Sequence, residues 1–278
     1  MRRAGLVLTV ALVAAMSAVQ PAGASAPPVG EGTAATALAS GGQIKGPSPI
    51  RVSRSPYVAA SGETHFFYGS VYQYGTSDGA WGYYTVSRPP LDPADAHTLA
   101  ELNVSSADLK QAVEIGYTVN RNLYGDDLPR LFTFFWVDGW PQCYNCGLVQ
   151  VSSSVWPGMA LAVGSVHQFS IRHFQGNWWI ADNNTWIGYY PDNWWGGRYT
   201  QAGLVEWYGE VASSVSTPCS DMGNGLLASS LDAARITGIG YWNGPSVNLT
   251  VIPHAYTNAY SATVYAQNNV RYGGPGFC

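Results

Sequence analysis

Ala112-Val-Glu-Ile-Gly-Tyr-Thr-Val119 and Leu204-Val-Glu-Trp-Tyr-Gly-Glu-Val-Ala212 carry the pattern that decides the fold. Side chains of an extended strand alternate between its two faces. In the second stretch Val205, Trp207 and Val211 take one face, and Glu206, Tyr208 and Glu210 take the other. In the first, Val113, Ile115, Tyr117 and Val119 form the apolar side. Glu114 shares the opposite face with Ala112, Gly116 and Thr118, small neighbours that leave space above a carboxylate. Each stretch therefore offers one face to a core and turns acids the other way.

The same reading extends along the chain. Short runs rich in β-branched and aromatic residues occur at 64–72, 81–86, 131–137, 147–152, 167–173 and 178–183. Turn clusters separate them, such as Tyr124-Gly-Asp-Asp, Phe174-Gln-Gly-Asn and Asn193-Trp-Trp-Gly-Gly. One helix is expected over Pro93–Leu102, and a weaker one over Ala107–Ala112. No fixed-period repeat points to a propeller or β-helix. The expected architecture is all-β: two stacked antiparallel sheets in a sandwich, with a cleft on one face.

The amino-terminal part reads differently. Arg2 and Arg3, an apolar run from Leu6 to Met16, and small residues at Ala22, Ala24 and Ala26 have the order of a secretory signal peptide. Residues 1–26 are assigned to it. Residues 27–55 are rich in Pro, Gly, Ala and Ser, lack aromatics, and read as a linker or short pro-segment. Arg51 and Arg54 stand near its end as candidates for a processing site. Residues 56–278 form the single domain. The expected location of the mature protein is extracellular, with no membrane association.

Charge narrows the partners. Removing Arg2 and Arg3 from 13 basic and 17 acidic residues leaves 11 against 17, a net charge of −6. A mildly acidic surface without a basic block argues against nucleic acid and anionic membranes. Cys143, Cys146, Cys219 and Cys278 are an even set in an exported chain, which suggests two disulfides among three possible connectivities. Cys143 and Cys146 are close enough to staple a turn, leaving Cys219 for Cys278. No second Cys-x-x-Cys or histidine pair completes a zinc site.

Charged residues make up only 11% of the chain, and six of them are Glu. No Gly-x-Ser-x-Gly elbow, His-Glu-x-x-His or phosphate-binding loop is present. His167 and His173 share strand parity and read as hydrogen-bonded structural residues. Acids among aromatics must be solvated, paired or used chemically, because burying an unpaired charge is costly. Glu114 and Glu210 are the candidates for an acid/base pair.

An ordered set of motifs resembles the neprosin family. It comprises Glu114-Ile-Gly-Tyr-Thr-Val-Asn, Leu123-Tyr-Gly-Asp, Arg130-Leu-Phe-Thr-Phe-Phe-Trp and Cys143-Tyr-Asn-Cys-Gly-Leu-Val-Gln. Gly176-Asn-Trp-Trp-Ile, Ile187-Gly-Tyr-Tyr-Pro, Gly209-Glu-Val, Asp221-Met-Gly-Asn-Gly and Tyr272-Gly-Gly-Pro-Gly-Phe-Cys follow. The likeness runs from about Ser55 to Cys278. Two departures adjoin the acids: Tyr117 stands where the family usually has Trp, and Tyr208 replaces a glycine.

The resemblance implies a glutamic endopeptidase that cuts after proline in acid, on a β-sandwich whose cleft holds two glutamates. Motif matches put those at Glu114 and Glu210. It implies direct attack by water on a peptide or protein substrate, with no metal or organic cofactor. Tyr117, Trp178, Trp179, Tyr190 and Tyr208 are the candidate rings for a substrate-binding wall. Two other classes fit the residues alone: a glycoside hydrolase using two carboxylates, and a non-catalytic carbohydrate- or peptide-binding sandwich.

Overall fold

The computed structural model describes residues 33–34, 44–54 and 64–278, with side chains for 44–51 and 64–278. The expected signal segment 1–26 and the start of the domain around Ser55 lie outside the described residues. Among the described residues the regular structure is almost entirely strand, arranged as two stacked antiparallel sheets that do not close into a barrel. Strands are numbered along the chain.

One sheet has seven strands in the order β14 (Thr250–Val251), β2 (His65–Ser77), β12 (Ala202–Ser213), β4 (Asp95–Ser105), β5 (Ala112–Val119), β6 (Arg130–Val137), β7 (Trp140–Pro141). The other runs β1 (Thr33–Ala34), β8 (Val149–Gln150), β11 (Thr185–Pro191), β10 (Asn177–Asp182), β9 (Val166–Phe174), β3 (Gly79–Thr85), β13 (Ala234–Trp242), β16 (Asn269–Gly273), β15 (Ser261–Ala266). A short helix, α1 (Pro49–Arg54), precedes β2.

The apolar faces meet between the sheets. Val113, Ile115, Tyr117, Val205, Trp207 and Val211 from the seven-stranded sheet pack with Phe169, Ile171, Trp178, Ile180 and Tyr190 from the other. Trp178 stacks on Tyr199 with ring centroids 4.2 Å apart and donates its Nε1–H to the Tyr199 carbonyl. A ring of this size buries roughly 150–250 Å², or about 4–6 kcal/mol each as an upper bound. The aromatic excess is thus largely spent on joining the sheets.

The expected strand at 112–119 has those bounds in the structure, and 202–213 extends the expected 204–212 by one or two residues. The expected helix over Pro93–Leu102 is corrected: Asp95–Ser105 is β4, an interior strand of the seven-stranded sheet. Ala94, Ala96, Leu99, Ala100, Glu101 and Leu102 are good helix formers, but propensity is a weak preference. Pairing with β12 on one side and β5 on the other gives this segment full ladders on both edges. Ala107–Ala112 is not helical either; it makes the turn into β5.

Disulfides join Cys143 to Cys146 and Cys219 to Cys278. His167 and His173 each pair with an aspartate, Asp182 and Asp192 respectively. Ser165 Oγ lies 3.0 Å from His167 Nε2 and donates to the Ala162 carbonyl. Among the described residues, no helix is long and apolar enough to cross a membrane.

Candidate active site

The face of the seven-stranded sheet turned away from the sandwich core gathers the acids. Register fixes their order across β12, β4 and β5. Glu206 lies opposite Asn103, which lies opposite Glu114; Tyr208 lies opposite Glu101, which lies opposite Gly116; Glu210 lies opposite Leu99, which lies opposite Thr118. Glu101, Glu114, Glu206 and Glu210 are every glutamate of residues 64–278. All four sit on this face with 0% exposure. Phe132, Phe134 and Trp136 of β6, with Leu99, Ala112 and Tyr144, form a separate apolar cluster beside them.

Residues Ile44–Arg51 cover the acids. Tyr144 Oη donates to the Ile44 carbonyl, Tyr68 Oη to the Pro47 carbonyl at 2.8 Å, and Arg51 Nη1 to the Gly139 carbonyl. The Gly46 N–H donates to Glu210 Oε1 at 3.1 Å, and the Ile50 N–H to Glu206 Oε1 at 2.9 Å. The approach at Gly46 is close enough to exclude a side chain: a Cβ there would lie 2.4 Å from Glu210 Oε2 and 2.5 Å from Tyr68 Oη.

Lys45, fully buried, points its ammonium into the cluster. Nζ lies 2.7 Å from Glu101 Oε1 and 3.4 Å from both Glu114 Oε2 and Glu210 Oε2. The Tyr208 ring stands 5.7 Å from it. Burial opposes charge on Lys45, but Glu101, Glu114 and Glu210 together hold its pKa well above the ordinary lysine value.

The acids differ in their partners. Burial raises each carboxyl, so what separates them is what reaches back. At Glu210 the burial effect is outweighed by Lys45, by His97 donating from Nε2 to Oε1 at 2.8 Å, and by the Gly46 N–H. Its pKa lies below the usual glutamate range. At Glu114 burial prevails over Lys45 and over hydrogen bonds from Trp136 Nε1 (2.9 Å) and Asn103 Nδ2 (2.7 Å), with repulsion from Glu210 adding to it. Its pKa is raised. Burial and repulsion from Glu114 push Glu101 well up, against Lys45. Burial lifts Glu206 to about 7. One cation cannot keep three neighbouring carboxylates ionised, so the cluster shares protons and titrates as a unit.

Of the five rings proposed for the substrate wall, the structure brings Tyr208 to the acids, edge-on to Tyr68 at 5.8 Å. Tyr117 lies in the inter-sheet core, its hydroxyl 3.1 Å from that of Tyr272. Trp178 and Tyr190 are in the same core, with Tyr190 Oη donating to Thr133 Oγ1. Trp179 is in the other sheet, packed on Trp186 and Tyr189. These four are therefore separated from the acid face by the sheet itself or by the whole sandwich.

Sequence reasoning missed Glu101, His97, Asn103, Tyr68 and Lys45. Three of these lie on β4, where the helix assignment hid the alternation of His97, Leu99, Glu101 and Asn103 on one face. Lys45 had a signal: it is one of only two lysines in the chain, alone among neutral residues from Gly32 to Ile50. Among the described residues no group of three or more His, Cys, Asp or Glu is arranged to hold a metal ion.

Comparison with known proteins agrees with the motifs. A model of the Neprosin family matches residues 94–275, and the chain belongs to that family. Among solved structures, a scytalido-glutamic peptidase with a transition-state-analogue inhibitor superposes with a TM-score of 0.49 at 11% identity, covering 76% of this chain and 99% of its own. SCP-B, an eqolisin-family peptidase in complex with the tripeptide Ala-Ile-His, gives 0.43 at 9% identity over the same shares. A congerin II double mutant gives 0.33 at 12% identity, over 52% of this chain and 94% of its own.

Proposed function

We propose that this protein is a glutamic endopeptidase that cleaves peptide bonds after proline under acidic conditions. The observation that carries the reading is the inequality of Glu114 and Glu210. Both lie within reach of one buried atom, Lys45 Nζ, yet His97 and the Gly46 N–H reach Glu210 alone, whose pKa is lowered, while burial raises that of Glu114. Two carboxyls whose surroundings drive their pKa values apart are what acid/base hydrolysis needs.

Glu210 acts as the base. It takes a proton from water as the water oxygen attacks the carbonyl carbon of the scissile bond. Glu114, protonated, donates a hydrogen bond to the carbonyl oxygen as negative charge develops there. The C–N bond then breaks as the proton on Glu210 passes to the departing nitrogen. His97 supports the ionised form of Glu210, while Trp136 and Asn103 fix the orientation of Glu114. No step draws on a metal or organic cofactor.

Proline specificity finds support in what already crosses the acids. Pro47 lies among them with its carbonyl held by Tyr68, and Pro49 follows two residues on. In this reading Tyr68 and Tyr208, beside the acids, pack on a bound proline, whose rigidity costs little entropy on binding. The proposal also takes residues 1–26 as an export signal, residues 27–55 as a segment preceding the domain, and an extracellular location. Two disulfides suit an oxidising compartment.

The test is digestion of a denatured protein, alongside a panel of polysaccharides, from about pH 3 to 7 to bracket carboxylate titration. Mass spectrometry is expected to show cuts enriched after proline, with yield greatest in acid. Cuts without proline enrichment would leave a general glutamic peptidase. Release of sugars without peptide products would replace the reading by a glycoside hydrolase, and inertness toward both by a binding sandwich.

A further inference from the structure

The acid face holds more negative capacity than two-carboxylate hydrolysis requires. Glu101 lies at its centre, between Tyr208 and Gly116 in register, and makes the shortest contact to the cation. Oε2 of Glu101 and Oε2 of Glu114 are buried without a hydrogen-bond partner. Gly116 lets β5 approach β4 closely beside Glu101: a Cβ there would lie 2.1 Å from the Ala100 carbonyl oxygen and 2.7 Å from Glu101 Cβ. The surrounding rings of Tyr208 and Tyr144 complete a compartment for a small cation with several N–H donors.

We propose that Glu101, Glu114 and Glu210 form a binding site for a primary ammonium group, that Lys45 fills it from within the chain, and that lysine-bearing peptides or alkylammonium ions compete for it and block hydrolysis. The block rests on the peptidase reading above; the ammonium site does not. An ammonium 3.4 Å from both members of the pair fills the space between them that an attacking water and the scissile carbonyl would need. The same ammonium brings its backbone with it. Gly46 then occupies Glu210 Oε1 through its N–H, and Pro47 occupies Tyr68. Lys45 thus fills the space at the pair while residues 44–51 cover it.

The site is a peptide-recognition surface as well as a lock. Its ligand class is an extended peptide with lysine followed by a residue without a side chain, since anything larger at the Gly46 position meets Glu210 and Tyr68. Such a peptide is an inhibitor rather than a substrate, because its ammonium lies on the reacting carboxyls.

Hydrogen exchange on the full-length protein at about pH 7 tests the site without relying on activity. In Lys45→Ala the amides of Gly46 and Ile50 are expected to exchange roughly 100-fold faster than in the wild type, as loss of one partner from a buried ion pair would give. Titrating n-butylammonium into Lys45→Ala is expected to restore slow exchange. Tetramethylammonium, which has no N–H to donate, is expected not to, and neither cation should restore it in Lys45→Ala/Glu101→Gln. Lys45→Met, which keeps the length of the side chain, serves as the second variant if Lys45→Ala does not fold.

Wild-type protection in the folded variants, or indifference of folded Lys45→Ala to n-butylammonium, would overturn the proposal. Failure of both variants to fold would make Lys45 a core residue and overturn it too. Hydrolysis of proline peptides by the same samples separates the two readings. Ammonium-dependent protection with no hydrolysis at any pH removes the peptidase and leaves the site; hydrolysis by Lys45→Ala that n-butylammonium does not slow removes the block.

Discussion

His97 Nε2 donates to Glu210 Oε1 at 2.8 Å, from the strand next to the one that carries the acid. The bond ties Glu210 to a donor outside residues 44–51, so in the proposed mechanism the base has support that does not depend on Lys45. His97→Ala is expected to move the acidic limb of the pH–activity profile upward, because Glu210 then needs a higher pH to ionise. Partial return of the limb in His97→Gln, whose amide can still donate, would mark a positioning role. An unshifted limb in a folded His97→Ala would remove His97 from the mechanism.

Glu114→Gln and Glu210→Gln are each expected to lower kcat/KM by at least about 100-fold while the domain stays folded, since an amide keeps the shape but cannot exchange a proton. Glu206→Gln is expected to cost much less. Assays on folded variants decide the matter, and near wild-type turnover in either of the first two would exclude that residue.

The pH dependence has a definite sign. Glu210, with its pKa lowered, supplies the base above that value; Glu114, with its pKa raised, supplies the acid below its own. Activity should be bell-shaped, high in acid, and should fall as pH rises through the Glu114 ionisation. A profile still climbing at neutral pH would contradict the assignment of the two roles.

Glu206 gives a stability prediction of its own. Burial, opposed by Ser48 and the Ile50 N–H, raises its pKa from 4.5 to about 7 in the fold. Below the unfolded value both states are protonated and the full stability is present. As pH rises toward the folded value the unfolded state ionises first, so stability is lost, by an amount of order 3 kcal/mol. Urea denaturation at about pH 4.5 and 7.5 should show this fall in the wild type and a smaller one in Glu206→Gln. Equal falls would place the proton elsewhere.

The Cys219–Cys278 bond closes a separation of 59 residues. Replacing both cysteines by alanine should cost roughly 4 kcal/mol on the chain-entropy account. An unchanged denaturation midpoint would show that the bond constrains little.

The outward placement of Glu114 and Glu210 was legible because β5 and β12 write their two faces in plain alternation: Glu114 among small residues, Glu210 on the face away from Trp207 and Val211. β4 was not, because its residues favour a helix when taken alone and become a strand only through partners distant in sequence. With β4 went Glu101, His97 and Asn103. Trp178 and Tyr190 were candidates because their segments match family motifs, and a motif match does not say which face of which sheet a ring takes; both lie in the inter-sheet core. Lys45 was missed for another reason: its isolation in a neutral stretch marks an unusual lysine but does not name its partners, acids more than fifty residues away.

Three adjacent strands, rather than loops, carry Glu210, Glu101 and Glu114, and backbone ladders set the spacing among them. A slip of one residue between β4 and β5 would turn Glu114 into the apolar interior. Exchange of surface loops, the usual route by which a scaffold acquires new chemistry, therefore has little purchase on these three acids. Heat or denaturant should silence the enzyme only where the sheet itself gives way, so that loss of activity and loss of strand signal coincide on a single curve.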